Sequence, residues 1–215
     1  MKPRFLLILT FSTLLYSCSK PSKEEKFWIW FEKNNKVFLE DIKNFDPNDF
    51  KSFTELKEQL EKVHPDLVFV FGGLKGNGSR QFTISADGLN AVFPAVIKLV
   101  DAAPTIPNWD IFAFRQRIPG DDLEIQYDDF SISHSDVYYD YIIEEEKIGL
   151  ELYIRDFNSN PRKQNAIFIL LDALLGEYDT EIEISWIEWN ELSQSQISGL
   201  NPLYKLRKLV ASRKN

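Results

Sequence analysis

The sequence predicts an α+β fold in which helices pack on a mixed or antiparallel sheet. Three observations lead there. Apolar residues recur at helical spacing through residues 27–63, and short β-branched and aromatic runs broken by Gly and Pro follow from residue 67. A strand-strand-helix-strand order then occurs twice, which suits helices laid over a sheet.

In chain order, Phe27 to Lys43 reads as a helix, with Phe27, Phe31, Phe38, Ile42 and Phe45 close to one face. The run Phe27-Trp28-Ile29-Trp30-Phe31 is apolar all round, so that end should be buried on more than one side. Asp49 or Ser52 is expected to cap a second helix whose inner face is Phe53, Leu56, Leu60 and Val63. His64-Pro65 ends it, because proline disfavours helical geometry in the residue before it.

Leu67 to Phe71 and Arg80 to Ala86 then read as strands joined through the glycine-rich segment 72–78. A helix follows from about Asn90 to Ala102, Pro104 and Pro107 break it, and Asp110 to Arg117 reads as a further strand. The order recurs as strands Tyr138 to Ile143 and Ile148 to Arg155, a helix Pro161 to Leu175, and a strand Glu181 to Trp189. A shift of 71 positions places Leu99-Val100-Asp101-Ala102 on Leu170-Leu171-Asp172-Ala173 and Ile111 on Ile182. Residues 66–117 and 137–188 are therefore expected to be tandem β-β-α-β units sharing one continuous sheet, with the N-terminal helical pair ahead of them. A last helix is expected from Pro202 to Val210, turning its leucines inward.

The N-terminus carries an address. Lys2 and Arg4 precede an uncharged run from Phe5 to Tyr16, which ends at Leu15-Tyr16-Ser17-Cys18. A membrane span needs roughly 20 residues, so the run is short for one and suits a cleaved export signal. Leu15-Tyr16-Ser17-Cys18 resembles the lipobox of bacterial lipoproteins, with Tyr16 departing from the usual small or aliphatic residue. The resemblance implies that residues 1–17 are removed and that Cys18 carries the lipid. Cys18 is also the single cysteine, so in an oxidising envelope no disulfide partner exists for it within the chain. Several acyl chains anchor stably where one does not. Residues 18–26 are expected to form a lipidated tether, and residues 27–215 one domain. The expected location is the cell envelope, lipid-anchored to a bacterial membrane; Ser19 resembles signals that permit transfer to the outer membrane.

Removing residues 1–17 leaves 23 basic against 33 acidic residues, a net charge of −10. Such a surface repels phosphate backbones and argues against a nucleic-acid partner. With 44% hydrophobic and 14% aromatic residues the chain has material for a core and is not composed like a disordered one.

Few residues carry the spacing of known chemistry. The glycines at 72–78 precede a strand, whereas phosphate-binding loops open a helix, so a hairpin loop is expected. The two histidines, His64 and His134, have no spacing that links them to Ser85 as a triad. Two histidines and a lipidated cysteine do not make an ordinary zinc set, and no metal or cofactor is expected. Ten acids without a Lys or Arg lie between Ile118 and Glu146, but without the spacing of a calcium loop, and read as a solvated face. The basic C-terminal residues Lys205, Arg207, Lys208, Arg213 and Lys214 read as the water-facing side of the last helix, with a lipid surface as the competing reading.

Asp87 and Gly88 stand where a strand hands over to a helix, where Asp87 is expected to cap. Trp109, Arg115 and Arg117 bring an aromatic ring and fixed cations to one strand and its approach. The arginines are expected to be partly covered and paired with Asp87 or Asp101, or to form a subsite for a carboxylate or glycan. Phe27 to Glu32, Ile84 to Gly88 and Ala103 to Trp109 through Phe114 to Arg117 are together similar to an uncharacterised bacterial domain family, a resemblance that implies no mechanism. The resulting expectation is a non-enzymatic binding module with a protein or glycan partner at Asp87, Trp109, Arg115 and Arg117. The alternatives are a hydrolase pairing Asp87 with acids of residues 121–146, and a structural lipoprotein that only assembles.

Overall fold

The computed structural model describes residues 20–44, 50–120, 123–127 and 129–214. The proposed signal, Cys18 and the expected cap Asp49 lie outside them. No described helix is long and apolar enough to cross a membrane.

Helix α1 (Lys23–Lys43) starts four residues earlier than its apolar period suggests. Ser22 and Glu25 form a capping box that satisfies two of the free N–H groups at the helix start, so the expected tether gives way to helix at Lys23. Helix α2 (Lys51–Glu61) has no side-chain cap; Phe50 holds the cap position and Ser52 lies inside the helix. Strands β1 (Val68–Leu74) and β2 (Arg80–Ser85) form an antiparallel hairpin. A turn of 3₁₀ helix and α3 (Phe93–Asp101) lead to β3 (Trp109–Ala113), which pairs parallel to β2. This first sheet has the order β1-β2-β3. Its covered face meets α1, α2 and α3 in one core built around Trp28, Phe31, Phe82, Leu56, Leu60 and Leu99. The indole N–H of Trp28 donates to the Leu99 carbonyl at 2.6 Å, so this large ring is buried without an unmet polar atom.

Strands β4 (Glu124–Gln126) and β5 (Ser131–Ser133) make a small hairpin. Next come β6 (Val137–Glu144), β7 (Lys147–Ile154), α4 (Pro161–Leu175), the short α5 (Glu177–Glu183) and β8 (Ile184–Glu191). The chain closes through the two-residue β9 (Asn201–Pro202), a 3₁₀ turn and α6 (Leu206–Arg213). Here too the first two strands are antiparallel, and a helical crossover brings the third parallel to the second. The sheet order is β8-β7-β6-β9, and α4 and α6 cover one face of it.

Both halves thus have the predicted strand connectivity, but they do not share a sheet. Each has its own strands and its own buried cluster. Several boundaries also differ from expectation: β1 continues through Gly72 and Gly73 to Leu74, and the last helix is Leu206–Arg213, preceded by β9 and a 3₁₀ turn, rather than Pro202 to Val210. β3 stops at Ala113 because Phe114 turns to φ 65°, which ends the alternation before Arg115 and Arg117. Residues 181–183 complete α5 rather than starting a strand.

The basic C-terminus is tied to the body. Arg207 donates to the carbonyls of Leu174 and Ile118 at 3.0 and 2.9 Å, Arg213 approaches Glu183 at 3.7 Å, and Lys214 pairs with Asp179.

Candidate functional site

A cleft of about 960 Å³ runs between the two halves. One wall is the second face of the first sheet, with Val70 and Gly72 from β1 and Gln81 and Thr83 from β2. The other is the outer side of α4, presenting Asn165, Phe168, Ile169 and Asp172, with the Phe168 ring also meeting Trp189 of β8 edge-on at 5.4 Å. The linker Gln116 to Pro119 borders the cleft, and Asp87, Gly88, Arg115 and Glu181 also line it. Val70, Ile118, Phe168 and Ile169 are all exposed there, in a surface that is apolar along much of its length. A concave apolar surface with a few converging polar groups is the usual form of a ligand site.

One buried acid organises the seam between the halves. Glu177, at the first position of α5, has no exposed surface. Its Oε1 accepts from the backbone N–H of Ala86 at 3.0 Å and of Gly88 at 3.3 Å, and its Oε2 accepts from the N–H of Arg115 at 3.0 Å. The Glu177 N–H donates to the Arg115 carbonyl at 2.9 Å, and the Ile118 N–H to the Ala173 carbonyl at 2.7 Å. Gly176 turns the chain into α5 at φ 92°, a conformation that favours glycine, and a Cβ there would meet the Arg115 carbonyl oxygen and the Arg117 nitrogen only at ordinary contact, 3.5 Å. The carboxylate therefore stands in for missing backbone partners of the 86–88 turn and of the chain leaving β3.

That turn explains Asp87. Asp87 and Gly88 take φ of 50° and 77°, and the 3₁₀ turn that follows starts from Leu89 without a side-chain cap. Asp87 does not cap the helix. Its backbone instead folds back, with its N–H donating to Ser85 Oγ at 3.0 Å, and its carboxylate receives Arg115 Nη1 at 2.9 Å.

Arg115 bridges the halves. Its Nη2 and Nε donate to Asp172 Oδ2 at 2.8 and 3.0 Å, and Nε lies 3.8 Å from Glu177 Oε2. Burial works to lower the guanidinium pKa, but the bond to Asp87 and the charges of Asp172 and Glu177 outweigh it, so the net shift is upward. Burial pushes the Asp172 carboxyl up despite Arg115. Burial does the same to Glu181, and the neighbouring charges of Asp172 and Glu177 add to it.

Of the sequence-predicted residues, Asp87, Arg115 and Arg117 line the cleft together, while Cys18 lies outside the described residues. Trp109 does not belong to the group. It is buried among Phe31, Phe71 and Phe82, with ring centroids 5.4, 5.2 and 6.0 Å away, because its strand parity matches that of Ile111 and Ala113 on the core side. Arg115 takes Asp172 as partner in place of the expected Asp101, the residue 71 positions earlier. No described acid of residues 121–146 lines the cleft, so the carboxylates that accompany Asp87 are Asp172, Glu177 and Glu181. Glu177 and Glu181 sit four apart on α5, a spacing that puts them on one side of a helix; the strand reading of 181–189 hid it.

Comparisons with protein-family models, with curated proteins and with solved structures give no match to this chain.

Proposed function

We propose that the chain is a lipid-anchored protein of the bacterial cell envelope that binds a partner in the cleft between its two halves, without transforming it. Lipid on Cys18 supplies the anchor, and Ser19 favours the outer membrane. The observation that carries the binding reading is the division of labour in the cleft. Asp87, Asp172 and Glu177 share Arg115 in one ion-pair network that holds the halves together, while Phe168, Ile169, Val70 and Ile118 leave apolar surface uncovered beside it. Charges locked into structural pairs are poorly placed to exchange protons with a substrate, and exposed apolar walls favour association.

A photo-crosslinking amino acid at Phe168, introduced into the lipidated protein in its native cells, tests the reading. The expected result is a discrete adduct that is absent when the same group replaces Tyr204, which is similarly exposed on the 3₁₀ turn before α6. Equal, diffuse labelling from both positions would remove the cleft from consideration.

The hydrolase reading keeps one observation in its favour, the raised carboxyls of Asp172 and Glu181 in a cleft. It requires that Glu181→Gln abolish turnover of an envelope substrate.

A further inference from the structure

We infer that the cleft takes a cationic ligand with an apolar body, a lysine-bearing segment of a partner polypeptide, with its ammonium at Glu181 and its apolar flanks on Phe168, Ile169 and Ile118. The inference rests on the binding reading above and adds the charge and class of the ligand.

Charge complementarity is the first ground. Asp87, Asp172 and Glu181 line the cleft with Glu177 behind them, against Arg115 and Arg117, so the local balance is negative by two charges. Arg115 is already committed to three of these acids. Glu181 differs from the others. Among the described residues no hydrogen bond or ion pair holds its carboxylate, and its nearest compensation is the field of Lys147 and Arg115. Its Oε1 lies 3.1 Å from where a Cβ on Gly88 would stand, so it packs against the 87–88 turn. A half-covered carboxylate beside two further acids is stabilised by an incoming cation and opposed by an incoming anion.

The second ground is the form of the surface. Gln81 and Asn165 stand on opposite walls, and each carries an amide that donates and accepts. The Gln81 amide donates to Thr83 Oγ1 at 3.0 Å, which leaves its carbonyl to accept a peptide N–H. Apolar side chains between such amides suit a polypeptide with alternating character better than a bare amine.

The test uses the full lipidated chain in nanodiscs of zwitterionic lipid and three capped pentapeptides alternating leucine with lysine, glutamine or glutamate, followed by titration calorimetry. The expected result is that the lysine peptide binds about tenfold tighter than the glutamate peptide. Glu181→Gln should weaken the lysine peptide about fivefold with no loss of thermal stability. Phe168→Ala should weaken all three peptides. A glutamine or glutamate peptide that binds as well as the lysine one, or a Glu181→Gln variant that binds the lysine peptide like the parent, would overturn the inference and leave the binding reading standing. Absence of binding by every peptide, with Phe168 giving no crosslink, would overturn both.

Discussion

Glu177 is the residue on which the seam depends. A carboxylate buried without exposed surface and accepting three backbone N–H groups has no substitute when shortened, because the Ala86 donor is buried and those of Gly88 and Arg115 are partly so. Removing one partner of a buried charged network costs about 3–5 kcal/mol. Glu177→Ala should therefore lose stability of that order in denaturant unfolding, and loosening should be greatest at 85–88 and 114–118 when followed by hydrogen exchange. Glu181 has the opposite sign. Burial and the neighbouring acids raise its folded-state pKa above the ordinary glutamate value of 4.5, so the native state holds the proton more tightly than the unfolded chain. Stability then falls as pH rises through the interval between the unfolded and folded values, and the charged form at neutral pH carries a cost. Glu181→Gln should be at least as heat-stable as the parent near neutral pH, and the difference should shrink as pH drops below the ordinary carboxylate range. A parent that gains stability over the variant on going to neutral pH would contradict this. The residue scale was partly legible from sequence. That Asp87, Arg115 and Arg117 come together is legible because charged groups stand next to turn signals, whereas proximity in sequence to the arginines conceals the strand parity that Trp109 shares with Ile111. Glu177 and Asp172 join the site from 57 or more positions away, and only their pairing in space reveals them.

Strands and helices are legible in the sequence where a period and a boundary signal agree. α4 has the predicted bounds, Pro161 at its start and Gly176 after its end, because proline fits the first helical turn and glycine supplies the positive φ that stops it. β3 is shorter than its alternation predicts because its end is made by Phe114 at φ 65°, a conformation no local residue type announces. Its ring contacts with Phe93 and Tyr178, at 4.5 and 5.2 Å, hold a backbone state that costs about 1–3 kcal/mol elsewhere. The alternation of Ile182, Ile184 and Trp186 extends the expected strand back over residues 181–183, which are the last turn of α5. At this scale the most exposed weakness is in β7. A Cβ on Gly149 would come within 2.3 Å of the Trp186 ring across the β7–β8 pair, so the tryptophan covers the space a side chain would need. Gly149→Ala forces that ring aside and should destabilise by about 1–3 kcal/mol, the range for overpacking. A thermal midpoint equal to that of the parent would show that the ring moves freely.

At the scale of the whole molecule, two copies of one strand-strand-helix-strand connectivity lie in separate sheets, joined through Arg115 and Glu177. The doubled order was visible in the sequence; the separation was not, because sheet pairing between distant strands leaves no periodic trace. We read the halves as tandem units, and the cleft as the space their packing leaves open. The chain is acidic with or without residues 1–17, which agrees with the cationic preference inferred for the cleft. The proposed anchor on Cys18 is the part of the account that assigns this body a place in the cell. Mass spectrometry of the protein extracted from native membranes tests it most directly. The account predicts a mature chain beginning at Cys18, lacking residues 1–17 and heavier by the mass of its acyl groups. A chain that retains Met1, or one that starts at Cys18 with an unmodified thiol, would contradict it.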